Sequence, residues 1–172
     1  RVLDAQIADP RDPATIQELR RQSALDDLRV LDTDPEPRFD RIVADARDLF
    51  GVQGASITFI DRDRQWSKSA IGMSAADSPR QSALGDATVQ NGKLFVVEDV
   101  SADQRFAGHP WVVGGSAIRF FAGFPIEAAN GERIGALCIS DSRPRTFTAA
   151  DDSLLGSLAR RVQQELWGPP VA

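Results

Sequence analysis

The stretch Ile118-Arg119-Phe120-Phe121-Ala122-Gly123-Phe124-Pro125-Ile126, followed by Asn130-Gly131 and then Ile134-Gly135-Ala136-Leu137-Cys138-Ile139-Ser140-Asp141, decides the fold. Branched and aromatic residues interleave with small ones on both sides of an Asn-Gly pair, which accepts the positive φ of a tight turn. Pro125 cannot donate to a ladder and belongs near a strand end. Two long strands therefore pair here. Upstream, Leu94-Phe95-Val96-Val97-Glu98-Asp99-Val100 reads as another strand, which leads through Asp103-Gln104-Arg105-Phe106-Ala107 to a loop at His109-Pro110-Trp111. Residues 55–61 and 65–71 read as a hairpin around the polar turn Arg62-Asp63-Arg64.

Helices flank these strands. Asp12-Pro13 is a start signal, with a carboxylate placed to accept first-turn amides and a proline where its missing donor costs nothing; the helix runs to about Leu31 with a thin apolar face. Asp34-Pro35 repeats the signal, and Phe39, Ile42, Val43, Ala46, Leu49 and Phe50 follow at helical spacing until Gly51. Residues 72–81 read as loop and 82–90 as a short helix, after which Asn91-Gly92 turns the chain. Thr148, with Asp151 three residues on, caps a last helix whose stripe is Leu154, Leu155, Leu158, Val162 and Leu166, and Gly168-Pro169-Pro170 stops it. Hairpin strands with helices at both ends and in the middle indicate an α+β arrangement, an antiparallel sheet with helices on both faces.

Composition narrows the function. A chain of 172 residues suits one domain, able to bury about two thirds of its unfolded surface. The expected division is a flexible arm over residues 1–12, one domain over 13–167 and a tail over 168–172. The single cysteine, Cys138, permits no intrachain disulfide and reads as a small buried hydrophobe, compatible with a reducing, cytoplasmic setting. No apolar run approaches the roughly 20 residues that span a bilayer. A formal net charge of −5, without a basic stripe, argues against nucleic acid as a partner.

In this order the segments resemble a GAF domain, a small-molecule-binding sensory module. The resemblance covers residues 24–166 and rests on the strings 28–39, 61–66, 106–111, 118–125 and 135–141. It implies a central antiparallel sheet of five to six strands. It also implies that the first and last helices lie together on one face, with a pocket on the other beneath residues 82–90 and 102–111. Bilin-binding relatives carry Phe-Cys-x-His-Ala where this chain has Ala83-Leu84-Gly85-Asp86-Ala87, so covalent chromophore attachment is excluded at Leu84. GAF enzymes that reduce free methionine sulfoxide need a cysteine pair, and one thiol cannot close a disulfide. Cyclic-nucleotide binders carry an asparagine-lysine pair where Ser140-Asp141 stand here, whereas Phe147, Asp151 and Asp152 match the second half of their motif. Those two aspartates also have a plain reading as helix-start charge.

Eight residues are expected at the ligand: Trp66, Leu84, Asp86, Phe106, Trp111, Arg119, Phe121 and Asp141. Alternation sets Arg119, Phe121 and Gly123 on one face of their strand and Phe120, Ala122 and Phe124 on the other. The first set is assigned to the pocket because a cation against an apolar core is costly unless paired. Two alternatives stay open. Arg119 pairs structurally with Asp141 or Asp86, and Trp66 is a half-buried edge residue. His109, the only histidine, reads as a solvated turn residue ahead of a haem ligand, and no multi-histidine metal site can exist. No catalytic residue, metal or cofactor is expected. The leading reading is a non-catalytic sensory module that signals through its terminal helices, as a homodimer and toward an output domain or partner protein. The competing reading is an interaction or dimerisation module whose pocket is filled by Leu84, Phe106 and Trp111.

Overall fold

The computed structural model describes residues 9–106, 108 and 118–168. Within them the sheet has six antiparallel strands: β1 (Gly54–Asp61), β2 (Arg64–Ile71), β3 (Ser78–Pro79), β4 (Phe95–Val97), β5 (Phe120–Glu127) and β6 (Arg133–Asp141). Their spatial order is β3-β2-β1-β6-β5-β4. The decisive hairpin forms as its residues require, β5 pairing with β6 from Phe120 opposite Asp141 to Glu127 opposite Arg133. Gly131, at a φ of 86°, donates to the Ala128 carbonyl to close the turn.

Among the described residues four α-helices accompany the sheet: α1 (Pro13–Asp27), α2 (Pro37–Phe50), α3 (Leu84–Asn91) and α4 (Ala149–Trp167). Alternation along the central strands divides the buried residues between the two faces. Ile57 and Phe59 of β1, Leu137 and Ile139 of β6, and Phe120 and Ala122 of β5 form one core with Phe39, Ile42, Leu155 and Val162 of the helices. Each such fully buried side chain contributes roughly 1.5–3 kcal/mol. α4 is fixed at its start by the capping box of Thr148 and Asp151. It pairs with α2 through Arg38, which donates to the Glu165 carbonyl at 2.6 Å, and Arg161, 2.8 Å from Asp45. The first and last helices do share this face, Ala24 and Leu25 of α1 joining the same core as Leu155 and Val162, but the helix packed directly on α4 is α2. α1 instead lies against the end of β1, Arg21 donating to the Ile60 carbonyl at 2.7 Å and Gln22 to Asp61 at 2.8 Å.

Several boundaries differ from the sequence expectation for identifiable reasons. α1 ends at Asp27 because Arg29 and Asp32 adopt positive φ and start the connector to α2, and Asp12 leaves first-turn amides uncapped by its side chain. β4 keeps only three residues. The Asp99 carboxylate accepts from the Ser101 amide and hydroxyl and starts a 3-10 turn, while the Glu98 carbonyl accepts from Arg145. Such local side-chain bonds compete with the ladder.

A bulge in the β1–β2 pairing carries an unexpected consequence. Ile57 faces Ser69 and Thr58 faces Ser67, leaving Lys68 as the extra residue. Lys68 and Ser69 thereby both turn toward α2 and its connector. The fully buried Lys68 ammonium meets Glu36 at 2.8 Å, the Thr33 hydroxyl at 2.7 Å and the Asp34 carbonyl, and Ser69 donates to Asp40 at 2.6 Å. Lys68, joined by Arg38, holds the Glu36 carboxyl below its ordinary range against the opposing effect of burial. Lys68→Met strands these acceptors. Because Glu36 keeps some water contact, the expected cost is about 2–3 kcal/mol, a fall in Tm of about 5–10 °C in thermal unfolding for a chain of this size.

Candidate functional site

The second face of the sheet carries α3 and a separate apolar cluster. α3 lies directly on the strands. A Cβ at Gly123 would stand 2.2 Å from the Thr88 hydroxyl oxygen, so glycine there permits the approach. At the helix start the Gly85 amide donates to the Gln65 side chain at 3.1 Å. Leu84 enters a cluster with Val97, Val100, Phe106, Phe121, Ala136 and Cys138, with Phe95 and Ile118 packed against it. Phe95 meets Phe106 edge-on at a centroid distance of 6.1 Å and Phe121 at 6.4 Å. Three of the expected ligand residues, Leu84, Phe106 and Phe121, thus come together, and all three are buried.

Beside this cluster the same face is lined by small polar groups. Ser56 and Thr58 of β1 alternate with core residues, and Ser56 sits opposite Cys138 of β6. Thr58 lies 3.9 Å from the Cys138 sulfur, and Ser140 is 3.8 Å from the Met73 sulfur. The Ser56 hydroxyl, on a residue only 1% exposed, makes no regular hydrogen bond among the described residues and has only the weakly bonding Cys138 thiol beside it. Burial pushes the Cys138 thiol up to about 12, the Thr58 and Ser56 hydroxyls opposing this only in part. The thiol is therefore neutral and unreactive at physiological pH.

The other expected ligand residues are placed differently. Trp66 stands on the opposite, helix-covered face, stacked on Phe59 at 6.4 Å, because alternation from β1 puts that pair against the main core. Asp86, two residues beyond Leu84, points away from the apolar cluster and pairs with Arg80 at 2.9 Å. The Asp141 carboxylate accepts from the backbone amides of Gln53 and Arg143, both at 3.0 Å. Arg119 precedes β5, its amide bonded to the Asp141 carbonyl at 2.8 Å and its guanidinium to the Ile118 carbonyl at 3.0 Å. Trp111 and His109 lie outside the described residues. Asp151 completes the cap of α4 and accepts from Arg145, which holds its carboxyl below the ordinary range. That is the helix-start role.

Sequence reasoning missed a charged cleft at the rim. A space of about 560 Å³ opens between α1, α3 and the β5–β6 turn, lined by Glu18, Arg21, Arg80, Gln90, Glu132 and Arg133 among others. Glu18 receives two bonds from Arg21 at 2.9 Å and bonds from Arg80 at 2.6 and 3.3 Å. Burial opposes its ionisation, but the two guanidiniums outweigh that and hold the carboxyl at about 2, against an ordinary 4.5. Nothing local in the sequence announces Arg80. Its partners lie on α1 and α3 and meet only in the fold. By contrast, the alternation of Ser56 and Thr58 with Ile57 and Phe59 is a period-two signal from which the polar face could have been read.

Two measurements follow. Native protein should resist a maleimide at Cys138 while urea-unfolded protein labels readily. Because the folded Glu18 pKa is depressed, its stabilisation is present above the unfolded value and is lost as pH falls through the folded one. The Tm gap between the native sequence and Glu18→Gln should hold from about pH 7 to 5 and close between roughly pH 4.5 and 2.

Comparison with known proteins gives a consistent picture. The chain is 33% identical over 155 residues to a cyclic di-GMP phosphodiesterase of Pseudomonas aeruginosa; the match covers 90% of this chain and 26% of that protein, so the chain spans about a quarter of its relative's length. Among solved structures, the GAF domain of an Acinetobacter phosphoenolpyruvate-protein phosphotransferase superposes with a TM-score of 0.61 at 16% identity, covering 88% of this chain and 92% of that one. The free methionine-R-sulfoxide reductase of Neisseria meningitidis, solved with its substrate, superposes with a TM-score of 0.63 at 19% identity, covering 88% and 90%. At these identities the two structures share the fold alone. The GAF domain family itself matches residues 34–166. With the sheet order and helices already described, this establishes the chain as a member of the GAF domain family.

Proposed function

We propose that residues 13–167 act as one non-catalytic sensory or regulatory module, which takes a small organic molecule on the α3 face and signals through its terminal helices. The observation that carries the reading is the buried Ser56 hydroxyl, which among the described residues meets no regular hydrogen-bond partner and has only the weakly bonding Cys138 thiol beside it, on a face it shares with Thr58 and Ser140. An unmet buried hydroxyl costs on the order of 1–3 kcal/mol, which a hydrogen-bonding guest recovers. Recognition fits this face better than reaction. Its thiol is neutral, and among the described residues no three His, Cys, Asp or Glu side chains converge as a metal needs.

Likeness to the phosphodiesterase supports cyclic di-GMP turnover as the output under control, exerted through a neighbouring domain or a partner protein. A single buried thiol and a net charge of −5 suit a cytoplasmic module that does not bind nucleic acid. Among the described residues no helix is long and apolar enough to cross a membrane. Leu19 on α1 and Trp167 on α4 are exposed apolar residues suited to joining two copies.

One observation favours a second reading. Leu84 and Phe106 both turn inward, which suits an interaction module with a filled interior. A thermal-shift screen of nucleotides, amino acids, purines and aromatic acids separates the two. A guest at 100 times its Kd should raise Tm by about 5–10 °C, and Ser56→Val should remove that shift. Silence across the library, with association lost on Leu19→Glu or Trp167→Glu, supports the filled module instead.

A further inference from the structure

Arg80 occupies a position that neither reading has used. It begins the 3-10 turn Arg80–Ser82, and its amide donates to the Asp63 carbonyl at 2.9 Å, which ties its backbone to the β1–β2 hairpin. From that fixed base the side chain reaches three ways. One terminal nitrogen meets Glu18 of α1 at 2.6 Å and the Arg62 carbonyl at 3.0 Å, and the inner nitrogen meets Asp86 of α3 at 2.9 Å. Glu18 is itself held by Arg21, which is anchored to the end of β1 through the Ile60 carbonyl. Among the described residues no side chain of α1 bonds Asp86 directly; the Arg80 guanidinium connects Glu18 and Asp86.

α3 makes this connection relevant to the ligand face. Leu84 lies in the apolar cluster and Asp86 lies two residues further along the same rigid turn. Any guest that shifts Leu84 carries Asp86 with it. We propose that Arg80 is the link by which occupancy of the α3 face reaches α1, Asp86 releasing or holding the guanidinium that Glu18 shares. This rests on the reading of the α3 face as the ligand site and names how that site is read out. Arg80 and Asp86 keep partial contact with water, their side chains 17% and 18% exposed, so the pair is within reach of a modest displacement. A ligand can move such an equilibrium only by as much as it prefers one arrangement.

The link is testable without any ligand, by hydrogen exchange on the protein alone, so its failure is distinct from failure of the screen. Asp86→Asn touches no atom of α1, yet it should raise exchange of α1 amides about threefold to tenfold, the effect of losing a partly exposed charge-assisted bond. By reciprocity Glu18→Gln should raise exchange in α3. In an Arg80→Met background, Asp86→Asn should then change α1 no further. Exchange altered only in α3 by Asp86→Asn, or raised uniformly through β1 and β6, overturns the proposal. So does an undiminished effect in the Arg80→Met background.

Discussion

Burial of the central strands on both faces is the constraint from which the rest of the molecule follows. All eight residues of β1 are buried, as is β6 from Ile134 to Ser140. A sheet covered on one side alone leaves alternate residues in water and tolerates polar groups there. Here each face needs its own cover, and the two covers differ in kind. One is thick, with α2 and α4 fastened to each other and to a core that includes Phe39 and Leu155. The other is thin. α3 has eight residues and lies so close that glycine is required at Gly123. Under the proposed reading, this is the side that a small molecule would occupy, in competition with the protein's own side chains.

Polar groups trapped by double burial show which contacts are structural and which are open. Lys68 is as deeply buried as any cation can be, yet the bulge in β2 delivers it to a carboxylate, a hydroxyl and a carbonyl. Its position is closed, and it locks the connector between α1 and α2 against the sheet. Ser56 is equally buried, yet among the described residues its hydroxyl has only the weakly bonding Cys138 thiol beside it. A polar atom that folding leaves unmet is expected to be met by something else, because isolated buried donors and acceptors are rare in native proteins.

Much of this was legible in the chain. The Asn130-Gly131 turn, the Thr148 cap and the Gly51 stop each act through their immediate neighbours, and each falls where the residues demand. Alternation also sorted Phe121 from Phe120 correctly, since period two is a property of the strand itself. Trp66 was misassigned because alternation fixes which residues share a face but not which face meets which helix. Asp86 was placed at the ligand on a motif position, whereas helix geometry turns it away from Leu84 and toward Arg80. The rim network of Glu18, Arg21 and Arg80 left no trace because Arg80 lies 62 residues along the chain from Glu18. A lone arginine in a loop looks the same whether it is solvated or shared.

The difference between the buried and the rim ion pairs bears on how such a domain could signal at all. Breaking the Lys68 pair leaves a charge stranded away from water, a penalty of several kcal/mol that holds the pair closed through ordinary fluctuations. A switch cannot be built there. At the rim Glu18, Arg80 and Asp86 keep partial access to water, so a partner that lets go is rehydrated in part and breaking the pair costs less than it does at Lys68. The sheet between the two faces is close-packed and transmits displacement poorly as gradual deformation. Communication between the thin face and α1 is then best carried around the edge, by groups that have two accessible arrangements. Arg80 has the required position, with its backbone fixed to the hairpin and its head shared between one helix of each face.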